Sequence, residues 1–366
     1  MYNILVYNDA NNYVLLETIK AFKKLGHNVI INDESSDNID FIFSSNDIRP
    51  YVSKRKASKP IVTWISEYPM QTYFWSSISA KQSDIIFTTD QVQVGEIKKN
   101  CNLENVYFLP LATSFNVLDI KNTHQYPISF AGSSKRQFIV DMENCKDTVR
   151  KLPISPDDLE NLKSHLVLKK DYFRPLQNIV QDDNFLKSLF DKVPKDGISL
   201  YKSGHLMLYM SMIITLQKRI DILSGLGMEE HLHLMPREWI DLVPGCQCHD
   251  RVEYDKTDLF FADSAINIDI NSLHMPTVVN SRLFDVPLCG GFVITDYREG
   301  MYDLFHEDEI VCYKSIDDLK EKVDYYLKHP DDRIKIINRA RKRILNQHMY
   351  THRVQYIINM YEELYK

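Results

Sequence analysis

At 366 residues, with 44% hydrophobic and 26% charged side chains, the chain has the composition of a globular protein long enough for two domains. Its net charge of −6, from 44 Lys+Arg against 50 Asp+Glu, excludes a general basic field for nucleic acid, so nucleic acid is not an expected partner. Six scattered cysteines in a chain of this size exclude a disulfide scaffold and point to a reduced setting. The start, MYNILVYNDANN, has neither a basic n-region nor a long apolar h-region. The longest apolar run, HLMLYMSMIITL (205–216), falls short of the ~20 residues of a transmembrane span. A cytoplasmic protein without a transmembrane segment is the expectation.

The first third alternates strand and helix. YNILVY (2–7) reads as a strand by its aliphatic run. The segment after it places Val14, Leu15, Ile19 and Phe22 at helical spacing and stops at Gly26. HNVII (27–31), IDFIF (39–43), PIVTWI (60–65), DIIFTT (84–89) and NVYFL (105–109) follow as strands. Short apolar strands between helical patterns predict a parallel sheet covered on both faces. Residues 1–125 are thus expected to form a Rossmann-like domain. Ligands in such sheets lie beyond the carboxyl ends of the strands, here the loops at Asn8-Asp9, Ser44-Ser45, Ser66-Glu67-Tyr68, Asp90 and Pro110.

PISFAG (127–132) restarts the pattern. Residues 137–224 read as a helical insertion, with Ser155 and Pro156 as a helix start signal. Strands return at EHLHLM (230–235), CHDRV (248–252), AINIDI (265–270), GFVITD (291–296) and EIVCY (309–313). The rest is almost entirely helical. The expected organisation is a second Rossmann-like domain over 126–345, followed by a helix at 346–366 that packs back on the first. Two such domains in series imply a cleft, and a small ligand in it.

NSLHMPTVVNSRLFDVPLCGGFVITD (271–296) reads as loop, helix, Gly-Gly turn and strand. Pro276 suits a first helical turn, so free N–H groups near Thr277 and Val278 are an expected anion site. Asp285 could accept from a ribose diol, with the alternative that it only caps and packs. Gly290 and Gly291 allow a tight turn and close approach to a ligand. Arg282, one turn before Asp285, could pair with it or reach a phosphate. Gly132, Lys135 and Arg136 follow a strand end, where a cation could neutralise a diphosphate. Glu67 and Asp9 are candidate general bases on carboxyl-end loops; a solvated acid and a helix cap are their plainer readings. CQCH (246–249) with HLH (231–233) lacks the usual zinc spacing, and Asp269 in NIDIN is a weak metal candidate, so no metal is expected. The Met-rich helix around 207–213 reads as core.

RLFDVPLCGGFVITDYREGMYDLF, EIVCYKSIDDLKEKVDYYLKHPDD and HMYTHRV resemble the C-terminal half of GT-B glycosyltransferases of the glycosyl transferases group 1 type, specifically the CgeB-like (spore maturation protein) family. The resemblance covers about 263–355. PISFAGSSKR is similar to the strand that opens the second domain in that family; the first domain is divergent. The resemblance implies a GT-B fold: two Rossmann-like domains facing a cleft, the second with a helical insertion, and C-terminal crossing helices. It implies transfer of a sugar from a nucleotide-diphosphate sugar to a hydroxyl acceptor on a surface polysaccharide, glycoprotein or other glycoconjugate. A UDP-sugar is the expected donor, as substrate, with no cofactor and no metal. Asp285 stands where the family has a ribose-binding Glu. Thr277 stands where related enzymes carry a second Glu, which puts a carboxylate contact to the donor hexose in doubt. Two other readings remain open: a nucleotide-sugar epimerase of the same fold, and a catalytically idle GT-B domain serving as a binding module.

Overall fold

The structure is a computed structural model, and it describes residues 1–7, 12–33, 35–45, 58–66, 81–144, 154–192, 197–273 and 277–366, with the side chains of 100 and 197–203 left aside. The chain divides into two compact units. The first comprises Met1–Ser114, Thr277–Val279 and Leu345–Lys366; the second comprises Phe115–Pro276 and Asn280–Ile344.

The first unit is built on strands β1 (Asn3–Val6), β2 (Asn28–Ile31), β3 (Phe41–Ser45), β4 (Ile61–Ile65), β5 (Ile85–Thr88) and β6 (Val106–Phe108). All pair in parallel, in the order β2-β1-β3-β4-β5-β6. The central strands are apolar on both faces because helices cover both: every residue of β4 and β5 is buried. Asn12 caps the helix Tyr13–Lys24 through the Leu15 N–H, and Asp90 caps the helix Gln91–Cys101 through the Val92 N–H. The Trp64 indole donates to the Leu109 carbonyl at 3.0 Å.

The last helix, Tyr350–Tyr365, belongs to this unit. It buries Tyr350, Val354, Ile357, Ile358 and Tyr361, a single helical face, against a core that includes Phe22, Phe41, Phe43 and Trp64. Arg353 secures it. Its guanidinium donates to the carbonyls of Pro110 (2.8 Å), Leu111 (2.9 Å) and Gln347 (2.8 Å), and to Nδ1 of His348 (2.8 Å). Burial pushes its pKa down to about 10.

The second unit carries β7 (Tyr126–Ala131), β8 (Leu232–Met235), β9 (Gln247–Cys248), β10 (Ser264–Asp269), β11 (Val293–Asp296) and β12 (Val311–Tyr313), parallel in the order β12-β11-β10-β7-β8-β9. Between β7 and β8 run the helices Arg136–Asn144, Pro156–Lys169, Leu176–Gln181, Asn184–Asp191 and Gly197–Gly225. Ser155 and Pro156 start the second of these, with the Ser155 side chain accepting from the Asp158 N–H. The insertion has its own core, in which Leu162, Leu186, Tyr209 and Met210 are fully buried. Two departures from the sequence reading stand out. β9 is two residues long, not five. And no helix starts near Thr277: the helix begins at Arg282 and runs to Leu288. Among the described residues, no helix is long and apolar enough to cross a membrane.

We predict that Arg353→Met lowers the stability of the first unit by about 3 kcal/mol, because three carbonyls lose the buried guanidinium that donates to them. Chemical denaturation of the purified variant checks this. Arg353→Lys is expected to recover only part of the loss, since an ammonium cannot span the same fork of acceptors.

Candidate functional site

In an open parallel sheet the polar chemistry gathers beyond the carboxyl ends of the strands. In the second unit those are the ends of β7, β10 and β11, and a buried charge cluster occupies the region. The inserted helix Gly197–Gly225 is apolar along much of its length yet delivers adjacent cations there, Lys218 and Arg219, which are 1% and 3% exposed. The Lys218 ammonium lies 2.7 Å from Oδ2 of Asp296, the last residue of β11. Arg298 approaches the same oxygen at 3.4 Å. The other oxygen of Asp296 accepts from the backbone N–H and side-chain amide of Asn271, at 2.7 and 3.0 Å. Burial alone would push the Asp296 carboxyl up; Lys218 and Arg298 overcome this and hold it below its ordinary value. Burial pushes Lys218 down to about 8, against the opposing pull of Asp296.

Arg219 ties the ends of two strands together. It donates to the Ile270 carbonyl at 2.9 Å and to the Ser133 carbonyl, with its guanidinium 5.5 Å from the centre of the Phe130 ring. Arg282, at the start of the short helix 282–288, donates to Oδ1 of Asp269 at 3.0 Å, and Thr295 holds the other oxygen at 3.1 Å. Arg298 donates to the Ser272 carbonyl at 3.1 Å. Four cations (Lys218, Arg219, Arg282, Arg298) thus meet two carboxylates (Asp269, Asp296), an excess of two positive charges. Of the four, Arg282 is the most open, with 20% of its side chain exposed.

Several expected site residues join this cluster and others do not. Gly132 does: its carbonyl accepts from the Trp239 indole at 2.7 Å, and a Cβ there would meet the Phe130 ring at 2.8 Å and Arg282 at 3.4 Å. Lys135 is half-buried in the left-handed region, φ 74°, and Arg136 is exposed at the start of its helix. Arg282 pairs with Asp269, not Asp285. Asp269 itself is buried in that pair and the Thr295 bond. Asp285 is fully buried and accepts from the Tyr254 hydroxyl, whose oxygen lies 2.8 Å from the Ser281 hydroxyl.

Thr277 and Val278 form no helix N-terminus. They count with the first unit, where the Thr277 hydroxyl donates to Asp90 at 2.5 Å and its N–H points to the same carboxylate at 3.5 Å. The helix N-terminus expected to offer free N–H groups there does not form at Thr277 and Val278, and the Thr277 N–H already faces a carboxylate. Gly290 and Gly291 serve packing within the chain. Gly290 has φ 81°, and a Cβ on it would lie 2.6 Å from the Asp119 carbonyl oxygen. On Gly291 a Cβ would lie 2.8 Å from Phe261, Asn267 and Val286. Glu67 and Asp9 lie outside the described residues, as does Pro276.

Lys218, Arg219, Asp296 and Arg298 are absent from the sequence reading. The signal for the first two was a Lys-Arg pair inside an apolar helix, and for the last two an Asp-Tyr-Arg step at a strand end. Cys246 and Cys248 face each other at 3.4 Å and His233 and His249 at 3.0 Å, but among the described residues no group of three His, Cys, Asp or Glu is placed to hold a metal ion.

Residues 215–359 match a family model described as glycosyl transferase-like, a span that includes Lys218, Arg219, Arg282 and Arg298. No curated protein matches the chain. Among solved structures, the T4 phage BGT in complex with its substrate UDP-glucose is similar with a TM-score of 0.53 and 8% identity, over 99% of this chain and 98% of that one. A sucrose-phosphate synthase of Thermosynechococcus elongatus is similar with a TM-score of 0.52 and 8% identity, over 100% and 99%. HepE of Anabaena, in complex with UDP-glucose, is similar with a TM-score of 0.50 and 10% identity, over 99% and 100%. The two six-stranded parallel sheets and this likeness make the chain a two-domain α/β protein of the GT-B fold.

Removing one partner of the buried Lys218–Asp296 pair strands the other charge. Lys218→Met and Asp296→Asn are each expected to cost about 3–5 kcal/mol, and the double variant markedly less than their sum. Denaturation of the three variants checks the cycle.

Proposed function

We propose that the protein is a metal-independent glycosyltransferase. It moves a sugar from a nucleoside-diphosphate sugar, with a UDP-sugar as the favoured donor, to a hydroxyl of a glycan or other glycoconjugate. The observation that carries this reading is the excess of positive charge at the carboxyl ends of β7, β10 and β11. A nucleoside diphosphate gains negative charge as the sugar leaves it. Cations already fixed in a dry site stabilise that charge without reorganising. Arg282 is the group with room to reach a phosphate; Lys218 and Arg219 set the field and hold the strand ends. The glycosyl transferase-like match over 215–359 and the CgeB-like motifs within it support the reading. So do the UDP-glucose complexes of BGT and HepE, which share the fold.

Asp285 takes the ribose in this reading, by exchanging the Tyr254 hydroxyl for a sugar diol. Lys135 and Arg136 are proposed as further diphosphate contacts from the loop after β7. Glu67 or Asp9 is proposed as the base that takes the acceptor proton.

Calorimetric titration with UDP and UDP-glucose is expected to show binding that Arg282→Ala weakens about tenfold or more, the loss of one charge-assisted contact. Asp285→Asn is expected to weaken it as well. Sugar transfer, measured as acceptor-dependent release of free UDP, is expected to survive excess EDTA. A changed sugar without an acceptor would instead mark an epimerase, and nucleotide binding without turnover across a panel of donors and acceptors an idle module.

A further inference from the structure

A second site lies at the opposite ends of the strands of the same sheet. Ala265, near the start of β10, and His124, just before β7, place it at the amino-terminal ends of the strands, away from Lys218 and Arg298. It is a partly open pocket with a cavity volume of about 120 Å³. Arg333, Ile337 and Ala265 are its buried lining, and Lys121, His124 and the exposed Asp331 also line it.

Arg333 is the informative residue. It is 6% exposed, and its side chain makes one hydrogen bond, to the Tyr326 carbonyl. Among the described residues, no carboxylate stands within ion-pair distance of it, whereas Arg282 has Asp269 and Arg343 has Glu309. A guanidinium so placed has given up water without a counter-charge, a costly arrangement unless an anion arrives. Burial pushes its pKa down with no opposing partner. His124 is lowered too, by burial and then by Arg333 and Lys121, and Lys121 pairs with Asp263 at the pocket. The helix Pro330–Gln347 begins at the same pocket and adds its N-terminal dipole.

We propose that this pocket binds a phosphoryl oxyanion, held by Arg333 with Lys121 and His124. A planar guanidinium fork suits the edge of a tetrahedral oxyanion. Ile337 and Ala265 supply an apolar wall, so the space accepts either free phosphate or the phosphoryl end of a small organic molecule. The site is separate from the proposed donor cluster and stands whether or not the chain transfers a sugar.

The test is calorimetric titration of the full chain with inorganic phosphate and with a hexose monophosphate. The wild type is compared with Arg333→Lys, Arg333→Ala, His124→Ala and Lys121→Gln, and with Arg282→Ala as the control at the other site. Lys121 is 40% exposed, so its variant guards against loss through misfolding. Saturable binding, weakened about tenfold or more by Arg333→Ala and Lys121→Gln and unchanged by Arg282→Ala, supports the site. Tighter binding of the hexose monophosphate than of phosphate assigns an organic phosphate, and equal binding assigns the free ion. Absence of binding, or binding that falls only in Arg282→Ala, overturns the proposal.

Discussion

The Lys218–Asp296 pair is the contact on which the second unit's site depends. It joins the inserted helix to the end of β11, and through Asn271 it joins both to the end of β10. Arg219, one residue on, fastens the same helix to the loops after β7 and β10. A buried ion pair is not a strong source of stability, because desolvation of two charges offsets most of their attraction. Its effect here is one of position. Three strand ends and one helix are held so that each carboxylate meets a cation, and two positive charges remain in excess.

The two sheets solve the same folding problem with different supports. Both are parallel and buried on both faces, so their strands read as near-continuous apolar runs. In the first unit the covering layer includes the chain's last helix, fixed through Arg353 to carbonyls after β6. In the second, the insertion after β7 builds a core of its own and then sends Gly197–Gly225 across to the sheet. Distant parts of the sequence thus determine whether a strand end is charged or neutral.

That division explains what could be read in advance. Eleven of the twelve described strands were legible, because short apolar runs such as IVTWI and IIFT cannot be satisfied elsewhere than in a covered sheet; the polar CHDRV meets the two-residue β9 only at Cys248. Helix starts with a side-chain cap, such as Ser155-Pro156, were legible too. The segment 277–285 was not. Pro276 and Thr277 carry the composition of a helix start, but Asp90, far away in sequence, takes the Thr277 hydroxyl and N–H. A tertiary acceptor displaced a local signal. Arg282 was paired in advance with the wrong acid, since the Asp269 contact runs between β10 and the helix after it. Asp285 looked like a ligand group by position, and the structure turns it onto Tyr254. Lys218 and Arg219 escaped notice because their neighbours say core, and only the sheet edge they meet makes them a site.

Hydrogen–deuterium exchange in the presence and absence of UDP tests the central claim most directly. The account predicts protection confined to the segments that end β7, β10 and β11, around Gly132–Lys135, Ile270–Ser272 and Tyr297–Arg298, and to the helix that starts at Arg282. Protection elsewhere with these segments unchanged, or no protection at any nucleotide concentration, would contradict it.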